Sequence, residues 1–211
     1  MIRRLKADIM LHIQKNITLY LIILFAILTG IASGIFTAYS MTIEQKYALS
    51  NHLKVFFQYQ TYEPISKISI FWKSFKQNFQ YSILIWIAGL VIFGAPVIIL
   101  LIGVRSFFIG FTFGFLLERY NIGGFLFTLL CILPQSIIYM AGFLFLGVIA
   151  MEKSLTRFKR RKVTLPKEQV KQETLFYFTK ILVILIVLSI GNIMEAYIGP
   201  AFFSLFKWVF D

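Results

Sequence analysis

Charge is scarce in this chain. Only 14% of its 211 residues are Asp, Glu, Lys or Arg, against about 25% in ordinary soluble domains. Acids are the rarer sign, nine against 21 bases, leaving a net charge of +12. Cysteine occurs once, so no internal disulfide can form, and Cys131 has no neighbours at metal-ligand spacing. The two histidines, His12 and His52, stand isolated in the sequence. There is no paired-carboxylate or Ser/His/Asp arrangement, and no glycine-rich phosphate loop. Catalysis therefore has little to stand on: the chain reads as no enzyme, with no metal and no cofactor.

Apolar surface is abundant. Hydrophobic residues make up 59% of the chain, and its mean hydropathy is +0.81. Between Ser82 and Ala150 the only charged side chains are Arg105, Glu118 and Arg119, which divide the sequence into Ser82–Val104, Ser106–Leu117 and Gly123–Ala150. A hydrocarbon core of roughly 30 Å takes about 20 apolar residues as a helix. The outer blocks reach that length. The middle one is short, and is either a stubby span borrowing its flanks or a re-entrant piece. Ahead of them, the apolar block 17–39 follows a basic segment, but exceeds the roughly 7–15 residues of a signal-peptide core. It reads as an uncleaved first span. Its Gly30-Ile-Ala-Ser-Gly34 spacing suits close helix contact. Residues 180–199 supply the last span. The expected fold is all-α, a polytopic helical membrane bundle forming one integral domain, 1–211, with about five spans at 17–39, 82–104, 106–117, 125–150 and 180–199.

Two long connections remain. In 40–80, Leu49, Leu53, Phe56 and Phe57 share one helical face, and after Pro64 so do Ile68, Phe71, Trp72, Phe75 and Phe79. Two amphipathic surface helices are predicted there, capping the bundle or offering a docking face through Phe71, Trp72 and Phe75. The loop 152–179 carries eight Lys and Arg, and the segment 1–16 carries four. Both belong in the cytoplasm, which leaves 40–80 outside. Bases flanking apolar spans point to membrane lipids as partners, and not to nucleic acid.

The remaining polar and packing candidates sit in or beside the spans. Arg105 is expected at the inner end of spans two and three, reaching lipid phosphates. Gly110-Phe-Thr-Phe-Gly114 allows two backbones to approach. Gly94-Ala-Pro96 should kink its helix. Pro134 frees a backbone carbonyl that Gln135 could satisfy, or Gln135 could bond across to another helix. Glu195 calls for a partner on another helix, Arg119 being one option.

Several of these stretches carry a family resemblance. Trp86-Ile-Ala-Gly89, Gly94-Ala-Pro96, Gly110-Phe-Thr-Phe-Gly114-Phe, Leu133-Pro134-Gln135 and Glu195-Ala-Tyr-Ile-Gly-Pro200, in this order, resemble stage II sporulation protein M. The resemblance implies a role in endospore formation, in the septal and engulfing membrane of the mother cell. It implies a non-catalytic scaffold that anchors a peptidoglycan-degrading complex with the stage II sporulation proteins D and P. The rival reading from the residues alone is a small transporter or channel, homodimeric through a glycine face, in which Gln135, Glu195, Thr112 and Thr128 line one cavity.

Overall fold

A computed structural model describes residues 10–62, 66–160 and 167–203. The described residues are helical almost throughout, with no strand among them. The elements are α1 (Ile17–Ser40), α2 (Ile43–Tyr62), α3 (Lys67–Leu90), α4 (Gly94–Phe127), a π-helical turn (Thr128–Ile132), α5 (Leu133–Lys159) and α6 (Lys167–Phe203). Three stretches are long and apolar enough to cross a membrane: Ile17–Ser40, Gly94–Lys159 and Glu168–Ile198. The second of these folds back on itself at Asn121, whose φ of 50° and ψ of −129° break the helix. Such a conformation is uncommon for a side chain other than glycine. Gly123 and Gly124 follow it, and a Cβ at Gly124 would meet the Leu116 carbonyl.

The helix bounds differ from those expected between residues 40 and 120. No single helix covers 82–104. The chain turns at Val91–Phe93, so α3 starts at Lys67 and ends at Leu90, and α4 runs from Gly94 through Arg105 without interruption. The anticipated kink is a full reversal, because Gly94 allows α4 to start against the Ala88 carbonyl, where a Cβ would collide. Pro96 then falls in the first turn of α4, where its missing N–H is no loss. The 106–117 piece is part of the long helix α4, not a short segment. The second expected surface helix is likewise the first half of α3. Pro64, the end of the basic run at Arg161 and Lys162, the first nine residues and the tail beyond Phe203 lie outside the described residues.

The main core is formed by Ile23, Ile27, Ile85, Ile98, Ile102, Phe143, Leu146, Val148, Tyr177 and Leu188, from all five long helices. The closest seam joins α1 to α4. Gly30 and Gly34 lie against the backbone at Gly103, Phe107 and Gly110, while Gly110 and Gly114 lie against Ile31 and Ile35. Without Cβ atoms the two backbones touch, which in lipid is a chief source of helix association. The face carrying Gly110 and Gly114 is thus taken by α1 of the same chain.

Helix α2 is tied to the end of the bundle that carries Asn121. Thr42 and Gln45 cap its start reciprocally, with Thr42 N–H donating to Gln45 Oε1 at 3.0 Å and Gln45 N–H to Thr42 Oγ1 at 3.4 Å. Leu49 and Leu53 pack on a second cluster of Ala38, Phe115, Leu116, Phe127 and Cys131. Lys46 Nζ donates to Glu118 Oε1 at 2.6 Å, and Arg119 lies over the Tyr47 ring, 4.7 Å from its centroid. At the opposite end, the α3–α4 reversal is held by α5. Ser154 Oγ donates to the Val91 carbonyl at 2.9 Å and Arg157 Nη1 to that of Leu90 at 2.6 Å.

Candidate functional site

Four helices bring polar side chains to one place inside the bundle. Arg105 lies about 17 Å along α4 from Gly94, at 1.5 Å per residue, near the middle of the helix. Its Nη2 donates to Asn78 Oδ1 on α3 at 2.6 Å. Asn78 Nδ2 donates to Asn192 Oδ1 on α6, also at 2.6 Å. The Tyr139 hydroxyl on α5 lies 2.9 Å from Asn192 Oδ1 and 2.7 Å from Glu195 Oε2. With one proton it donates to one of them at a time. Asn78 and Asn192 are 2% and 1% exposed, so neither has water to fall back on.

Aromatic rings complete the surroundings of the guanidinium. Arg105 sits 5.1 Å from the Tyr81 ring centroid, 5.5 Å from that of Phe143 and 5.9 Å from that of Tyr139. Ring faces attract cations most strongly where water is excluded. A charge in lipid is tolerated when it is hydrogen-bonded and faces the bundle interior, and both conditions hold here. Beside this node lies a cavity of about 220 Å³, lined among others by Asn78, Arg105, Thr112, Gln135, Tyr139 and Glu195. Arg105 Nε and Gln135 Oε1 have no hydrogen-bond partner among the described residues.

The expected site residues fall as follows. Arg105 is not at the end of a span reaching for phosphate; it is inside the bundle, because α4 begins eleven residues before it. Glu195 finds its partner on another helix, but in Tyr139 instead of Arg119. Pro134 stands in the first turn of α5 after the π-helical turn, the kind of local widening that accommodates a disturbed helical ladder. Ser136 Oγ bonds back to the Ile132 carbonyl at 2.7 Å, which is not the carbonyl that Pro134 frees, and no bond from Gln135 to that freed carbonyl is seen among the described residues. Gln135, Glu195 and Thr112 do line one cavity, whereas Thr128 donates to the Gly124 carbonyl and is absent from it. Phe71, Trp72 and Phe75 cluster with centroid separations of 5.7–6.0 Å on the first two turns of α3, and Trp72 is 60% exposed. Sequence reasoning missed Asn78, Tyr139 and Asn192. A polar residue repeated inside otherwise apolar helices was the available signal.

Long apolar helices, a glycine seam of backbone contact and an interior polar node define a multi-pass α-helical membrane protein. The family model of stage II sporulation protein M matches residues 21–200. The chain belongs to that family, and is accordingly a sporulation-related membrane protein. Among curated proteins and among solved structures, nothing matches it.

Proposed function

We propose that the protein is a five-pass, non-catalytic scaffold of the septal and engulfing membrane, which anchors the stage II sporulation proteins D and P as they degrade peptidoglycan. In this reading α1, α3, α4, α5 and α6 each cross the bilayer. Helix α3 spans about 36 Å at 1.5 Å per residue, long enough for a core of about 30 Å, though Lys73 and Lys76 burden its outer half. The basic segments 1–16 and 152–179 then both lie inside. Helix α2 and the start of α3 lie outside, where the peptidoglycan partners work. The observation that carries the reading is how the interior polar groups are used. Asn78, Arg105, Tyr139, Asn192 and Glu195 bond to one another and hold four helices in one arrangement, as suits a rigid platform.

The docking face offered is the Phe71–Trp72–Phe75 cluster, with Ile68 beside it at 71% exposure. Rings at that height also match the aromatic belt of a membrane interface, so the test separates the two. Replacing Phe71, Trp72 and Phe75 with Ala should release the partner proteins from the septum while the chain still inserts. Normal partner localisation in that variant would remove the docking face.

A transporter or channel is the second reading, favoured by the cavity that Gln135, Glu195 and Thr112 share. Solute flux in proteoliposomes that vanishes in Glu195→Gln would establish it. The scaffold reading expects no flux from either protein.

A further inference from the structure

We infer that the cytoplasmic end of the bundle holds a phosphate-binding cleft for an anionic phospholipid of the inner leaflet, built from Lys15, Lys153, Arg160 and Lys180. A cavity of about 310 Å³ opens there between the approach to α1 and the facing ends of α5 and α6. Four cations line it, against two carboxylates, Glu152 and Glu173. The balance is net positive and suits a phosphodiester.

The carboxylates position the cations without exhausting them. Glu173 accepts from Lys153 Nζ at 3.0 Å and from Arg160 Nη1 at 2.7 Å. An ammonium carries three N–H donors and a guanidinium five, so most remain for a ligand, on side chains already held in place. Glu152 lies 3.5 Å from His12 Nε2 and 4.0 Å from Lys15 Nζ. Lys15 is 74% exposed at its side chain, and Lys180 forms no ion pair among the described residues. Preorganised donors bind more tightly because less freedom is lost on binding.

The walls favour a lipid over a free anion. Ile149 and Phe176 line the same cavity, and Phe176 is 70% exposed, an apolar surface against which an acyl chain can lie. Lys15 stands just before the first apolar helix and Lys180 opens the last span expected from the sequence, 180–199, which is free of basic residues thereafter up to Ile198. Both therefore sit at headgroup depth, where basic pockets between membrane helices recruit acidic lipids. The choice of leaflet rests on the orientation proposed above.

The test uses the full chain, purified in neutral detergent, with phosphatidylglycerol, phosphatidylcholine or inorganic phosphate added at equal concentration. Phosphatidylglycerol should raise the melting temperature and be retained in native mass spectra, and the other two should do neither. Lys180→Gln should weaken phosphatidylglycerol binding about fivefold, and Lys15→Gln with Lys180→Gln about 25-fold. Lys180→Arg, which keeps the charge, should retain it, as should Lys76→Gln on an exposed face of α3. Equal protection by inorganic phosphate overturns the lipid, and unchanged affinity in the double variant overturns the cleft. These readouts involve no sporulation partner. Failure of the docking test leaves the cleft standing, and failure here leaves the scaffold standing.

Discussion

The seam between α1 and α4 and the node shared by α3, α4, α5 and α6 solve one problem in opposite ways. Helices in lipid gain nothing from merely hiding apolar side chains from one another, since lipid tails are equally apolar. The seam answers by removing side chains: Gly30, Gly34, Gly110 and Gly114 let main chain meet main chain. The node answers with hydrogen bonds among Asn78, Arg105, Tyr139, Asn192 and Glu195. The seam is specified by shape and the node by chemistry. Helix α4 belongs to both, so a single helix couples the two devices.

Substitutions that fill the seam should have the largest effect. Gly110→Leu drives a side chain into the Ile31 backbone and should cost about 3 kcal/mol, read as loss of the folded fraction under steric trapping or SDS titration. A neutral result would mean that α1 and α4 do not touch there. Next is Arg105→Leu, which leaves Asn78 Oδ1 without its donor and should cost about 2 kcal/mol in the same assay. A double-mutant cycle on Asn78→Leu and Asn192→Leu should return a coupling of about 1 kcal/mol; strictly additive losses would break the network at its centre.

The smallest effect is expected at the rim, at Glu173, which lies in the polar first turns of α6, ahead of the span expected at 180–199. Hydrogen bonds from Lys153 and then Arg160 hold its carboxyl below the usual carboxylate range. A lowered folded-state pKa stabilises the fold above the ordinary carboxylate range, and the gain disappears as pH falls through that range toward the depressed value. Its side chain is 41% exposed, so solvent screening keeps the gain small. Acid titration of Glu173→Gln should show a slightly flatter loss of stability than the parent, and identical curves would remove the ion pair from the balance.

The seam could be read in advance because its signal is local. Gly30 and Gly34, and Gly110 and Gly114, are each four residues apart, and each pair marks a face without knowledge of its partner. The class of fold was legible for a similar reason, since long apolar stretches identify themselves. The node was not legible as a unit. Its bonds join residues 27, 53, 56 and 114 positions apart, and no spacing rule connects them. Arg105 misled most, because an arginine in apolar sequence reads as the edge of a span unless its partners are known. The same misreading displaced the helix boundaries: with Arg105 taken as a border, the reversal at Val91–Phe93 looked like a kink.

That reversal bears on how the protein is made. The Leu90 carbonyl receives its donor from Arg157, and the Val91 carbonyl, which already accepts from Gly94 N–H, gains a second donor from Ser154, both more than sixty residues later in the chain. A ribosome therefore completes α3 and the start of α4 before the groups that finish their corner exist. The corner therefore closes locally first, through Gly94, and gains its last donors only once α5 has been synthesised.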